Sequence, residues 1–221
     1  MKKFLFLSIV AAIAVAMTFV ACKKQEPKNT EEAIPGTEYI LVTTPDGAKG
    51  IKKGEAFVVQ PKADYAVIVV DGGMFVAQTA AGHILIDPET GKELVTADSF
   101  TWRDSFFEAK SGENYVIYIP AYKLQFEAKT YAVKGNYAVG VFENKVTVWQ
   151  EGKPLIENDG KYSQIAILPD GKYLVLEGKK WKEAVLDGIT LKSKTVLRNR
   201  LLRKYKAMTG WDDNSPVMIL E

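Results

Sequence analysis

The chain has 221 residues, 47% of them hydrophobic, which is enough to bury a core of ordinary size. Its 29 basic and 27 acidic residues leave a formal net charge of +2, and so small an excess argues against a nucleic-acid binder. The single histidine and the single cysteine are too few for a zinc site of familiar composition, and any catalytic triad would have to use His83. The sequence has no glycine-rich phosphate loop. We therefore predict no nucleotide, metal or cofactor site.

Residues 1–22 have the layout of an export leader. Lys2 and Lys3 precede an uncharged run over residues 4–21, as in the basic and apolar regions of a signal peptide. The run is close to the lower limit, roughly 17 residues, of a membrane-spanning helix. A retained transmembrane anchor is therefore the competing interpretation, and the cysteine that ends the run, Cys22, favours the signal peptide.

The last four residues of this leader, FVAC at positions 19–22, resemble the lipobox of bacterial lipoproteins. The resemblance implies cleavage after residue 21, a diacylglycerol on the Cys22 thiol and acylation of the new amino terminus. Lys23 follows the cysteine, where enteric lipoproteins retained in the inner membrane carry Asp, which favours the outer membrane. We predict a signal peptide over 1–21, lipid attachment at Cys22 and a location in the cell envelope.

The segment 22–37 is charged, contains two prolines and has no apolar periodicity. This composition predicts a flexible tether between the lipid and the folded part. Without the two leader lysines, 27 cations face 27 carboxylates, because 29 minus 2 is 27, and the mature chain is neutral. Residues 38–221 are predicted to form one β-repeat domain.

Short runs of Val, Ile, Tyr and Phe alternate with turn dipeptides from residue 39 onward, which is typical of β-hairpins. The predicted strands are 39–44, 55–60, 65–70, 74–79, 83–87, 92–96, 115–119, 124–128, 130–134, 137–142, 145–150, 162–168, 173–177 and 183–187. We therefore predict an all-β fold of antiparallel meanders.

Similar units recur along the chain. Tyr39, Met74, Tyr137 and Tyr173 open comparable units spaced by about 36 residues, a length typical of propeller blades and of open stacked β arrays. In addition, the stretches ID…GKELV (86–95) and VW…GKPLI (148–156) resemble degenerate WG-type β repeats of bacterial surface proteins, although the Trp-Gly dipeptide itself is missing. That resemblance implies interaction repeats and not an enzyme.

Residues 98–113 interrupt the meander with four aromatic side chains, and we predict a short helix or an aromatic loop there. A helix would place Asp104 and Glu108 on one face, where paired carboxylates suit glycoside hydrolysis. The alternative is a solvated surface pair.

Near the C-terminus, Leu197, Leu201, Tyr205 and Met208 are spaced for one helical face, which predicts an amphipathic helix over about 193–208. Its cations have three interpretations: solvated side chains of a capping helix, a contact with an acidic partner protein, or a contact with anionic lipid. The predicted contact residues are Arg198, Arg200, Arg203 and Lys204.

Aromatic side chains are the remaining binding signal. They suggest a stacking platform for a glycan or a contact surface for a protein partner. The predicted contact residues are Trp102, Tyr118, Tyr122 and Trp149, with Trp181 as a further candidate. The alternative is that Trp149 and Trp181 fill the core, whereas Trp102 is expected to be exposed.

Together these features predict a non-enzymatic, lipid-anchored binding or scaffolding protein of the cell envelope, with its β repeats contacting an envelope protein. The alternative is a surface glycan-binding or glycan-hydrolysing lipoprotein whose contact lies around Trp102.

Overall fold

The computed structural model describes residues 28–220, so the predicted signal peptide and Cys22 lie outside the described residues. The chain forms two compact units, one ending at Ala63 and one starting at Asp64. The sequence predicts a single domain from residue 38, whereas backbone contacts separate these two units. Within residues 28–220 no helix is long and apolar enough to cross a membrane.

The first unit contains one antiparallel sheet. Its strands are β1 (Thr30–Ala33), β2 (Tyr39–Thr43), β3 (Lys49–Lys53) and β4 (Ala56–Lys62). Val42, Ile51 and Val59 are buried and form its core. Gly50 lies where a β-carbon would come within 2.7 Å of the Val59 carbonyl oxygen, so a side chain at this position would push β3 and β4 apart.

Strand β1 falls inside the segment predicted to be a flexible tether. It pairs with β2 from Thr30 opposite Thr43 to Ala33 opposite Ile40, and Glu31 forms an ion pair with Lys52 at 2.6 Å. All four β1 side chains are exposed. Backbone hydrogen bonds to β2 hold β1 in place, and β1 buries no apolar side chain. Its sequence therefore shows no alternation of apolar and polar residues.

The second unit contains four further sheets that follow one another along the chain. The second sheet contains β5 (Val67–Asp71), β6 (Met74–Thr79), β7 (Gly82–Ile86) and β8 (Glu93–Ala97). The third contains β9 (Phe100–Arg103), β10 (Phe106–Ser111), β11 (Asn114–Ile119) and β12 (Leu124–Ala128). The fourth contains β13 (Thr130–Lys134), β14 (Tyr137–Phe142), β15 (Lys145–Gln150) and β16 (Lys153–Asn158).

The fifth sheet has an additional strand. Its strands are β17 (Gln164–Ile167), β18 (Tyr173–Glu177), β19 (Lys180–Asp187), β20 (Thr190–Val196) and β21 (Val217–Ile219). The first four form an antiparallel meander, and β21 pairs in parallel with β17. A 3₁₀ turn, Pro120–Tyr122, lies between β11 and β12, and helix α1 (Asn199–Met208) lies between β20 and β21.

The predicted all-β fold of repeated antiparallel meanders is confirmed. Tyr39, Met74, Tyr137 and Tyr173, the predicted starts of the repeats, are the first residues of β2, β6, β14 and β18. Each of these is the second strand of its sheet. A strand with neighbours on both sides buries more apolar side chains than an edge strand, so the apolar pattern marks the second strand, and the predicted units are offset from the sheets by one strand.

Residues 98–113 form strands and not a helix or an irregular loop, so that prediction was wrong. β9 and β10 are joined by a tight turn at Asp104, whose φ is +53°, and Thr101 lies opposite Glu108 across the hairpin. The two strands are short, which left no clear alternation in the sequence. The helical face that would have placed Asp104 beside Glu108 does not form.

The fourth and fifth sheets are joined through a buried polar group. The Asn158 side chain donates to the Tyr162 carbonyl at 2.8 Å and accepts from the Tyr162 amide at 3.1 Å. The Tyr162 hydroxyl donates to the Leu191 carbonyl and accepts from the Ser193 amide, each at 3.1 Å. Every polar atom of this group therefore has a partner, as a buried polar group requires.

Candidate functional site

The predicted aromatic platform is not assembled. Trp102 is half-buried, with its ring 4.8 Å from that of Phe107, and packs against the buried cluster that contains Tyr118. A β-carbon on Gly72 would lie 2.4 Å from Trp102 Cε3, so the indole lies directly on this turn. The expectation that Trp102 is the exposed tryptophan was therefore wrong, because the indole covers the contact between the second and third sheets.

The other predicted aromatic contacts lie at separate places. Tyr118 is 5% exposed, and Trp149 stacks on Phe126 at 4.5 Å between the third and fourth sheets. Tyr122 is exposed in the 3₁₀ turn. Trp181, on β19 of the fifth sheet, is buried in the cluster on which α1 packs. Burial of Trp181 and packing of Trp149 agree with the alternative in which these rings fill the core.

Glu108 is engaged by two neighbours. Its carboxylate accepts from the Tyr131 hydroxyl at 2.5 Å and from Arg103 Nε at 3.1 Å. The Tyr131 hydrogen bond, helped by Arg103, holds the pKa of Glu108 below its usual range. A catalytic acid in glycoside hydrolysis needs the opposite shift. Glu108 therefore joins the third sheet to the fourth and has the wrong electrostatics for a proton donor.

This environment predicts a pH-dependent contribution of Glu108 to stability. A carboxyl whose pKa is depressed in the folded state stabilises it above the pKa of the unfolded chain, and this contribution is lost as the pH falls through the folded pKa. We expect acidification from neutral pH to pH 3 to lower the melting temperature more in the wild type than in Glu108→Gln. Thermal unfolding followed by circular dichroism measures this, and equal losses in the two proteins would contradict it.

Four predicted contact residues on α1 do come together. Arg198, Arg200, Arg203 and Lys204, together with Leu201, line one open depression of about 600 Å³. All four cationic side chains are exposed. We call this set of five residues the α1 basic surface.

The apolar side chains of α1 hold the helix against the fifth sheet. Leu197 is buried, and Leu201, Leu202 and Tyr205 pack against a cluster that includes Trp181 and Met218. The helix begins at Asn199 and not near residue 193, because residues 193–196 continue β20, with Ser193 opposite Ala184. Met208, predicted on the apolar face, is 69% exposed. The helix is held against the sheet by these side chains, and the four cations of the α1 basic surface remain exposed.

Among the described residues, no acidic side chain pairs with the cations of the α1 basic surface. Lys206, outside this surface, pairs with Asp213. Within residues 28–220, none of the four cations of the surface has a hydrogen-bond or ion-pair partner. The sequence has no acidic residue from 190 to 206. Unpaired cations on a helix that is packed against a sheet attract an anionic ligand.

A smaller cavity, about 200 Å³, lies between the second and third sheets, lined by Tyr118, Asp87, Lys123 and neighbours. The Asp87 carboxylate already accepts from the amides of Glu89 and Thr90, and burial raises the pKa of Tyr118. These contacts shape the loop after β7, and no sequence motif marks the cavity. Within residues 28–220 no group of three or more His, Cys, Asp or Glu side chains is placed to hold a metal ion.

No protein-family model matches the chain, and no curated protein matches it. Among solved structures it is similar to Hsv2 of Kluyveromyces lactis with loop 6CD replaced by a Gly-Ser linker, at 12% identity and a TM-score of 0.28, over 74% of this chain and 65% of that one. It is also similar to the WD40 domain of SCAP from fission yeast, at 11% identity and a TM-score of 0.30, over 78% and 56% of the two chains. BamB from Moraxella catarrhalis gives 16% identity and a TM-score of 0.26, over 72% and 64%.

The chain thus spans 65% or less of the length of these three structures. Because the TM-scores are this low, the fold is defined by the strand pairing within this chain and not by the superpositions. That pairing defines the class: an all-β protein built from repeated antiparallel meanders.

Proposed function

We propose that the protein is a lipid-anchored binding or scaffolding protein of the bacterial cell envelope, with no catalytic role. The proposal rests on the order of the segments along the chain. A lipobox-like FVAC ends an apolar leader, and repeated antiparallel sheets follow it. A lipid anchor and a rigid β frame suit a protein that presents a surface to partners beside a membrane.

Two exposed apolar side chains on β5 offer a place where a protein partner would bind. Val67 and Val69 are 44% and 47% exposed, and they are two residues apart, so they project from the same face of the strand. Ile68, between them, is buried. An apolar pair on a strand supported from its other face is a rigid contact for a protein partner.

Photocrosslinking in the native host tests this function. A photoreactive amino acid in place of Val69 should yield an adduct of one reproducible mass with an envelope protein, and the same probe in place of Lys179, an exposed turn residue, should not. Recovery of the uncrosslinked chain alone from both positions would contradict a partner at β5.

Glycan binding around Trp102 has weaker support, because that ring packs on Phe107 and Gly72. Affinity electrophoresis of the full chain in gels with envelope polysaccharide compares the two functions. We expect no retardation of the wild type. Retardation that is lost in Trp102→Ala would favour the glycan function instead.

A further inference from the structure

Two of the four cations of the α1 basic surface, Arg198 and Arg200, lie at the start of the helix, where they do not stabilise it. Arg198 is the N-cap residue and makes no side-chain capping bond, and the first turn contains no acidic residue. Ser, Thr, Asp or Asn normally caps this position. Cations near the positive end of the helix dipole destabilise a helix, whereas acids stabilise it. The arrangement breaks a local rule of helix design, which is typical of a functional surface.

The chemistry of the surface favours phosphate over a protein partner. Three of its four cations are arginines, whose planar guanidinium groups donate in pairs to the oxygens of phosphates and of carboxylates, so the choice between these ligands depends on the rest of the surface. The only apolar member is Leu201, which is partly buried against the fifth sheet. The surface therefore lacks the exposed aromatic anchor that typically dominates a protein interface.

The helix is also unable to insert deeply into a membrane. Its apolar side chains Leu201, Leu202 and Tyr205 are used in packing on the fifth sheet. Exposed apolar side chains remain just before it and at its end, at Val196 and Met208, which are 51% and 69% exposed. Such a surface suits contact at the level of lipid headgroups, where cations contribute most of the attraction.

We propose that the α1 basic surface docks on the phosphate groups of an anionic phospholipid membrane, so that the fifth sheet faces the bilayer. Charge complementarity determines the occupant, because an anionic bilayer presents many phosphates to four unpaired cations. Docking adds a contact to the proposed function and does not depend on acylation of Cys22.

Vesicle flotation tests the docking separately from lipid attachment. The mature chain, residues 22–221 carrying Cys22→Ser, has neither the apolar leader nor a thiol for acylation, and it is mixed with vesicles containing phosphatidylglycerol or with vesicles of phosphatidylcholine alone. We expect binding to the anionic vesicles that weakens steeply with salt. Neutralising Arg198, Arg200, Arg203 and Lys204 to Gln should weaken binding about fivefold per cation.

A second quadruple variant controls for net charge. Gln at Lys110, Lys129, Lys179 and Lys180, all exposed, removes the same charge elsewhere and should leave flotation unchanged. Equal losses in both variants would overturn the proposal, because they would show a general charge effect. Preference for a polyglutamate peptide over anionic vesicles would overturn it too, because it would assign the surface to an acidic protein.

A single substitution separates docking from folding. Arg198→Ser supplies the missing N-cap, which should raise the melting temperature by about 2–4 °C. The same variant should bind anionic vesicles about fivefold more weakly. A stabilised Arg198→Ser protein with undiminished vesicle binding would contradict the docking, and loss of binding in this variant cannot be attributed to unfolding.

Discussion

Phe107→Ala is expected to destabilise the second unit by about 3–5 kcal/mol. Phe107 is fully buried in β10, where it shares a cluster with Met74, Val76 and Leu85 of the second sheet. Its ring also packs against Trp102 at 4.8 Å and Phe100 at 6.3 Å. Truncation leaves a cavity between two sheets that are each held by backbone pairing and cannot collapse freely.

Thermal and urea unfolding measure this effect. A loss of this size lowers the melting temperature by roughly 10 °C in a domain of 150–250 residues. Phe142→Ala is the matched control, because Phe142 carries the same ring on a strand but is 40% exposed, and its removal should change stability by less than about 1 kcal/mol. Similar losses for the two variants would contradict the packing of the second sheet on the third through Phe107.

Cys22→Ser, with residues 1–21 replaced by a signal peptide that is cleaved without lipid attachment, is expected to release the protein from the membrane fraction of its host almost completely. Each methylene of an acyl chain contributes roughly 0.8 kcal/mol to membrane binding, and two or three chains make attachment effectively permanent. A serine hydroxyl takes no thioether-linked lipid. Fractionation with immunoblotting of native-host cells, washed at high salt to remove electrostatic contacts of α1, measures the change.

Phe19→Leu is the matched control for this substitution. It changes the same leader, keeps the cysteine and introduces the residue that lipoproteins usually have at this position, so the protein should remain in the membrane fraction. If the Cys22→Ser variant with the replaced leader stays in the salt-washed membranes as completely as the wild type, a lipid on Cys22 is not what holds the protein there.

The inner strands of the sheets could be predicted from the sequence because most of their side chains are buried and therefore apolar. β6, with four consecutive buried residues, and β14, with three, stand out as apolar runs. β3, β16 and β20 were missed as strands. Their sequences, KGIKK, KPLIEN and TLKSKTV, contain lysine and few apolar residues, and hydrogen bonding to a neighbouring strand decides their conformation. That information lies in the partner strand and not in their own pattern.

Strand β21 was missed for a related reason. It is three residues long, follows Pro216 and pairs in parallel with β17 across the intervening residues 168–216, with Ile165 opposite Val217. No local pattern specifies a partner so far away. The Gln164 amide, which donates to the carbonyls of Asp213 and Ser215, helps to hold the approach to this strand.

Some of the candidate binding residues could be located from the sequence, and others could not. The four cations at α1 could be predicted because they lie within seven consecutive residues, 198–204, of a segment that contains no acidic residue. The aromatic platform could not, because the position of each ring depends on which sheets meet. Trp102 lies on the turn at Gly72, 30 residues earlier in the chain, and a tryptophan in a sequence gives no sign of such a contact.

Intact-mass spectrometry of the protein isolated from membranes of its native host tests the proposed function most directly. We predict a single species that has lost residues 1–21 and carries the added mass of a diacylglycerol and an amide-linked fatty acid on Cys22. A species that retains Met1, or one that begins at Cys22 with no fatty acid, would contradict a lipid-anchored protein.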